Sequence, residues 1–132
     1  MSEQVAVFNP GENVPGFATA LVNAGRFVKV SATKNANGAY PVEHAAVKTR
    51  PFGVSQVDSG PTTQDEHSFE RMVNVIRRGA IARVMSGAAI TATEEVEVGA
   101  NGKAVKLAEG LAVGRCLVTV GATDLFTEID LY

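Results

Sequence analysis

The chain has 132 residues with 12 basic and 14 acidic side chains, the size of one domain without a strong overall charge. Its 45% hydrophobic content excludes a disordered chain, its near-balanced charge excludes a general attraction to nucleic acid or anionic membrane, and its single cysteine excludes an internal disulfide. Val, Ile and Thr number 33 against 9 for Leu and Met; side chains branched at Cβ favour pleated sheet over helix, so the composition predicts an all-β fold.

The first twenty residues stand apart. Pro10, Gly11, Pro15 and Gly16 interrupt the short apolar patch from Val5 to Phe8. Proline fixes φ and removes a donor, so residues 1–20 are expected to form an extended arm rather than a core strand. An arm with Val5, Val7, Phe8, Val14 and Phe17 must lie against something, either its own domain or a neighbouring subunit. The segment has no basic n-region and no apolar h-region, so no signal peptide is read there. No apolar run approaches the roughly 18 residues of a membrane span. A soluble protein made in the cytoplasm is expected.

Residues 21–132 read as a single β domain. Arg26 to Ser31 alternates charged and apolar side chains like a half-buried strand. Asn37-Gly38 is a turn signal, and Ala39 to Val42 returns. Phe52 to Val57 is a third strand, in which Gly53 points to a bulge or a close backbone approach. Residues 58–68 are polar and carry Gly60 and Pro61, and 58–70 reads as a long surface loop. Met72 to Met85 is the longest β-like tract, broken at Arg78-Gly79. Ile90 to Val98, Ala104 to Leu107 and Gly114 to Val120 follow, with a second turn signal at Asn101-Gly102. In the final strand Leu125, Thr127, Ile129 and Leu131 share one face, against Glu128 and Asp130 on the other.

An internal repeat is visible along these strands. Val22, Ala24, Val28 and Val30 recur as Ile90, Ala92, Val96 and Val98, each 68 residues on. Each block is followed by Asn-Gly, a returning strand and a strand opened by Gly53 or Gly114. Two such meanders would face one another as a compact sandwich or barrel; chance likeness among Val- and Gly-rich strands is the competing reading.

Catalytic patterns are sparse. Gly99 to Lys103 lacks the spacer of a phosphate loop and reads as a hairpin turn. Asp65, Glu66, His67 and Glu70, with His44 conceivable in space, form the densest group of potential metal ligands, but adjacent polar residues in a loop are ordinarily solvated. Cys116 lies in an apolar strand and reads as an inert buried thiol. Neither a metal, a cofactor nor a catalytic set is expected, so the chain reads as a non-enzyme. Arg71, Arg77, Arg78 and Arg83 make 71–83 basic, whereas Glu94, Glu95 and Glu97, and then Asp124, Glu128 and Asp130, are acidic. No aromatic platform lies between Arg71 and Arg83, which argues against single-stranded nucleic acid. A solvated face, charge matching between subunits, or protection of strand edges are the readings left open.

Taken in order, several segments resemble the capsid cement (head decoration) proteins of tailed bacteriophages. They are Pro10 to Gly16, Ala24 to Val30, Arg50 to Val54, Val75 to Ala80, Gly87 to Ile90, Glu95 to Gly99, Asn101 to Val105, Ala112 to Arg115 and Glu128 to Tyr132. The match spans nearly the whole chain, and its weight lies in the order of the pieces. Residues 58–70 look like an insertion into a shorter loop. The resemblance implies a virion protein on the capsid exterior that clamps adjacent major capsid protein subunits as a homotrimer. It implies no cofactor and no direct contact with nucleic acid or membrane. Val5, Val7, Phe8, Val14, Phe17, Arg71, Arg77, Arg78, Arg83, Glu128 and Asp130 are then the candidate capsid and subunit contacts. A tail or head-completion β-domain is the alternative, and a small oligomeric β-fold hydrolase using Asp65, Glu66 and His67 is a further one.

Overall fold

The computed structural model describes residues 13–31, 38–59 and 72–132. Among them run ten short strands: β1 (Asn13–Ala18), β2 (Phe27–Val30), β3 (Tyr40–His44), β4 (Gly53–Ser55), β5 (Met72–Ile76), β6 (Ile81–Met85), β7 (Glu95–Val98), β8 (Ala104–Lys106), β9 (Gly114–Cys116) and β10 (Phe126–Leu131). The all-β expectation holds. β1 to β5 close into a barrel in the order β1-β3-β2-β4-β5. β6 to β10 form a five-stranded sheet in the order β6-β10-β9-β7-β8, whose two edges meet at a parallel bridge between Ser86 and Ala104.

The two units repeat one topology, register included. Val22 bridges Ser59 as Ile90 bridges Val120. Phe27 faces Val54 as Glu95 faces Arg115. Val54 faces Ile76 as Arg115 faces Asp130. Ala18 lies beside Val42 in the parallel β1–β3 ladder as Ser86 lies beside Ala104. The hydrogen bonds between turns repeat as well: the Gly25 N–H donates to the Ser55 carbonyl and the Thr93 N–H to the Cys116 carbonyl, both at 2.8 Å. The repeat read from Val22 and Ile90 is therefore a repeat of structure. It drifts out of register in sequence because the second β-hairpin is tighter, with Val98 and Ala104 closed by a 3-10 turn at Ala100–Gly102. Gly53 and Gly114 hold the same place for the same reason. A Cβ would strike the Ile76 carbonyl at the first, and Ile129 and the Asp130 carbonyl at the second.

Strand alternation explains the core. In β10, Thr127, Ile129 and Leu131 are buried while Phe126, Glu128 and Asp130 are not. Leu125, expected on the buried face, lies just outside the strand and is 46% exposed. Val14, Ala18, Val22, Val28, Val42, Val73 and Val75 fill the first barrel. The second core contains Ala82, Val84, Ile90, Val96, Val98 and Ile129, and it also takes in Phe27, Ala45 and Val54, with partly buried Ile76. These four project from the outer side of the first barrel, since their neighbours Val28 and Val75 point inward. The outer row Phe27–Val54–Ile76 thus joins the halves. Met85 N–H to the Gly25 carbonyl (2.8 Å) and Lys48 N–H to the Val98 carbonyl (2.9 Å) add backbone links across the join.

One expectation is corrected. Residues 13–18 do not belong to an arm; they form β1, paired with both β3 and β5. Val14 and Phe17 are 3% and 4% exposed, in the interior of their own domain, so they offer nothing to a capsid or a second subunit. Pro15 is tolerated because the ladder to β3 begins only at Gly16. The tract from Met72 to Met85 is also divided: β5 pairs with β1 and β4, β6 with β10, and the turn between them passes from one half to the other.

Candidate contact surface

The passage from β5 to β6 puts Arg77 and Arg78 at the junction, and Gly79 turns the chain with φ +89°. The Arg77 guanidinium lies 4.2 Å from the centroid of the Phe52 ring, and that ring lies 5.1 Å from Tyr40 at 53°. Such a stack holds the guanidinium plane while leaving its N–H edges free. Arg50, Arg77 and Arg78 border a cleft of about 340 Å³ whose far wall, including Val113, Leu131 and Tyr132, belongs to the second half. Among the described residues no carboxylate side chain lines the cleft, and none of the three arginines is in an ion pair.

A second group lies on the outer face of the second sheet. Across the strands, Arg83 faces Glu128, Ile81 faces Asp130, and Met85 faces Phe126. The Arg83 guanidinium sits 5.1 Å from the Phe126 ring centroid. Ile81 and Phe126, 61% and 42% exposed, add apolar surface beside these charges. Asp130 continues into a charged row with Arg115 and Glu95. The Tyr132 hydroxyl donates to Glu95 Oε2 at 2.8 Å. The Tyr132 hydroxyl beside Arg115, then the charges of Glu95 and Asp130, raise the Arg115 pKa further.

The predicted contact residues therefore fall into separate groups. Arg77 and Arg78 meet in the cleft; Arg83, Glu128 and Asp130 share one face of the second sheet. Val5, Val7, Phe8 and Arg71 lie outside the described residues, as do Asp65, Glu66, His67 and Glu70. His44 is half-buried, and its Nε2 accepts the Asn23 N–H at 3.1 Å. Burial, then the charge of Arg26, lowers its pKa and keeps it neutral. Cys116 is buried, with Sγ 3.3 Å from Thr127 Oγ1 and 3.2 Å from the Val118 carbonyl oxygen. Glu97, also buried, accepts the Gly110 N–H and so fastens the loop after β8.

Sequence reasoning missed Arg50, Phe52 and Tyr132 as cleft residues and the row Glu95–Arg115–Asp130. The repeat contained the signal for that row. Its first-half counterparts, Phe27, Val54 and Ile76, are all apolar, so charge at the second set marks a face that is not covered in the same way.

Among solved structures, the chain is similar to the crystal structure of the head fiber gp8.5 N base of bacteriophage phi29. The TM-score is 0.72 at 19% identity, over 92% of this chain and 93% of that one. At this identity the likeness speaks for a shared fold. No protein-family model matches the chain, and no curated protein does.

Proposed function

We propose that the chain is a structural, non-enzymatic protein of a bacteriophage head. It seats on the outside of the assembled shell and stabilises contacts between major capsid protein subunits, acting as a homotrimer. The observation that carries this reading is the shared fold, over 92% of the chain, with the base of a phage head fibre. The order of sequence segments that resembles head decoration proteins supports it independently. A protein that binds only the assembled lattice stabilises that lattice by its binding free energy. Several weak contacts made by one trimer reinforce one another through effective concentration. Charged and apolar residues side by side on the second sheet, with Arg83, Glu128, Ile81 and Phe126, suit such contacts.

The test is to prepare heads with and without the protein, image them, and heat both. The reading expects extra density on the outer surface at local three-fold positions, and earlier rupture of heads that lack it. Absence of the protein from purified heads would refute the reading. The fibre-base likeness favours a second reading, in which the domain is a mount for a projecting element. Density on the head with unchanged rupture temperature would select that mount over a clamp.

A further inference from the structure

The cleft at the junction of the two halves carries an inference about ligand chemistry that does not depend on the head reading. We propose that it binds a carboxylate-bearing extended segment of a partner protein, with Arg50, Arg77 and Arg78 as the anion-recognising side chains.

The internal repeat shows first that the fold does not require these charges. Arg50 lies three residues before β4 as Leu111 lies three before β9, and Arg77-Arg78 follows Ile76 as Leu131-Tyr132 follows its counterpart Asp130, with Leu131 closing β10. The same backbone positions are thus filled by Leu111, Leu131 and Tyr132 in the second half. Three arginines then line one cleft in which, among the described residues, no carboxylate side chain takes part. Like charges brought together repel unless an anion joins them, so the cluster gains from an incoming carboxylate.

The geometry narrows the ligand. Arg77 is held by its stack on Phe52 at 4.2 Å, so little rotamer freedom is lost when it forms paired N–H···O bonds to a carboxylate. The opposite wall offers Val113 and Leu131 to an apolar neighbour of that carboxylate. A volume of about 340 Å³ lies at the small end of ligand pockets, suited to a few side chains. A nucleic acid backbone fits poorly. Tyr132 at the cleft margin is bonded to Glu95, and Arg115 and Asp130 continue that row, so a chain of phosphates would run onto carboxylates. The overall charge of −2 gives a polyanion no wider attraction.

The test is fluorescence anisotropy of the full chain with a labelled, end-blocked pentapeptide carrying one glutamate beside one leucine among uncharged residues, at low salt. Saturable binding is expected. Arg50→Gln and Arg78→Gln, both exposed side chains, should each weaken it about five- to tenfold. Arg77→Lys should weaken it too, because the charge stays but the fork is lost. Lys106→Gln, outside the lining of the cleft, should change it less than about twofold. No saturation by about 1 mM peptide, or equal binding by the arginine variants, would overturn the proposal. An oligothymidine that competes as well as the peptide would overturn it in favour of nucleic acid.

Discussion

Phe27 and Glu95 occupy the same position in the two halves, so a matched pair of substitutions tests how the halves are joined. Phe27 is fully buried and belongs to the cluster that includes the second core. Glu95 lies on the outer row and accepts a hydrogen bond from Tyr132. Truncation of Phe27 to Ala loses about 2–3 kcal/mol of transfer free energy. The cavity left at a junction packed from both sides brings the total to about 3–5 kcal/mol. Glu95→Ala removes one exposed hydrogen bond, costing about 0–1 kcal/mol. For a chain of this length the first should lower Tm by about 10–20 °C and the second by less than about 4 °C. Urea denaturation followed by circular dichroism and tyrosine fluorescence measures both. Phe27→Ala should give one coincident transition at a lower midpoint, because the residue is shared by both halves and they melt together. Equal costs at the two positions would refute the reasoning. So would two separated transitions in the parent protein.

Four further outcomes follow from particular residues. Thr93 has φ +82° where the first half has Gly25 at φ +70°, so Thr93→Gly should stabilise by about 1 kcal/mol in thermal melts. Gly102→Ala should destabilise by about 2 kcal/mol or more, since φ is +71° and the added Cβ would lie 2.5 Å from the Phe27 carbonyl oxygen. His44 is held neutral below its ordinary pKa, so the unfolded chain takes up its proton first as pH falls. Stability should therefore be full above about pH 6.5 and decline as pH drops towards the lowered folded value, and His44→Gln should flatten that decline in urea titrations at pH 7 and 5. Glu95→Phe, Arg115→Val and Asp130→Ile together copy the first half's apolar row onto an open face; sedimentation should show the triple variant forming larger species than the parent at the same concentration.

The candidate surface was only partly legible. The basic tract 71–83 and the acidic strand at Glu128 and Asp130 are plain in a linear reading, because charge survives without folding. Their grouping is not. Arg77 and Arg83 lie six residues apart, yet one stacks on Phe52 in the cleft and the other on Phe126 across the second sheet. The β5–β6 turn sends them into different halves, and neither strand alone reveals that. The proline-based case for an arm failed at β1 for a related reason. Local propensity registers Pro15 and Gly16, whereas burial of Val14, Phe17 and Ala18 between two ladders is a tertiary gain that outweighs it.

What the sequence determined by itself is the class of structure. Residues branched at Cβ and period-two alternation dictate strands, Asn101-Gly102 and Gly38 dictate turns, and the spacing of 68 residues from Val22 to Ile90 raised a repeat that only the matching ladders separate from chance. These depend on local sterics and on which face of a strand is apolar, both readable along a chain. The tertiary structure decided how the two units differ. Phe27, Val54 and Ile76 became an internal joint, while Glu95, Arg115 and Asp130 stayed on the outer row. It also decided that Arg50, from before β4, would meet Arg77 and Arg78, from after β5. Such meetings depend on which strands pair and which faces stack, a choice made by burial summed over the whole molecule rather than by any single segment.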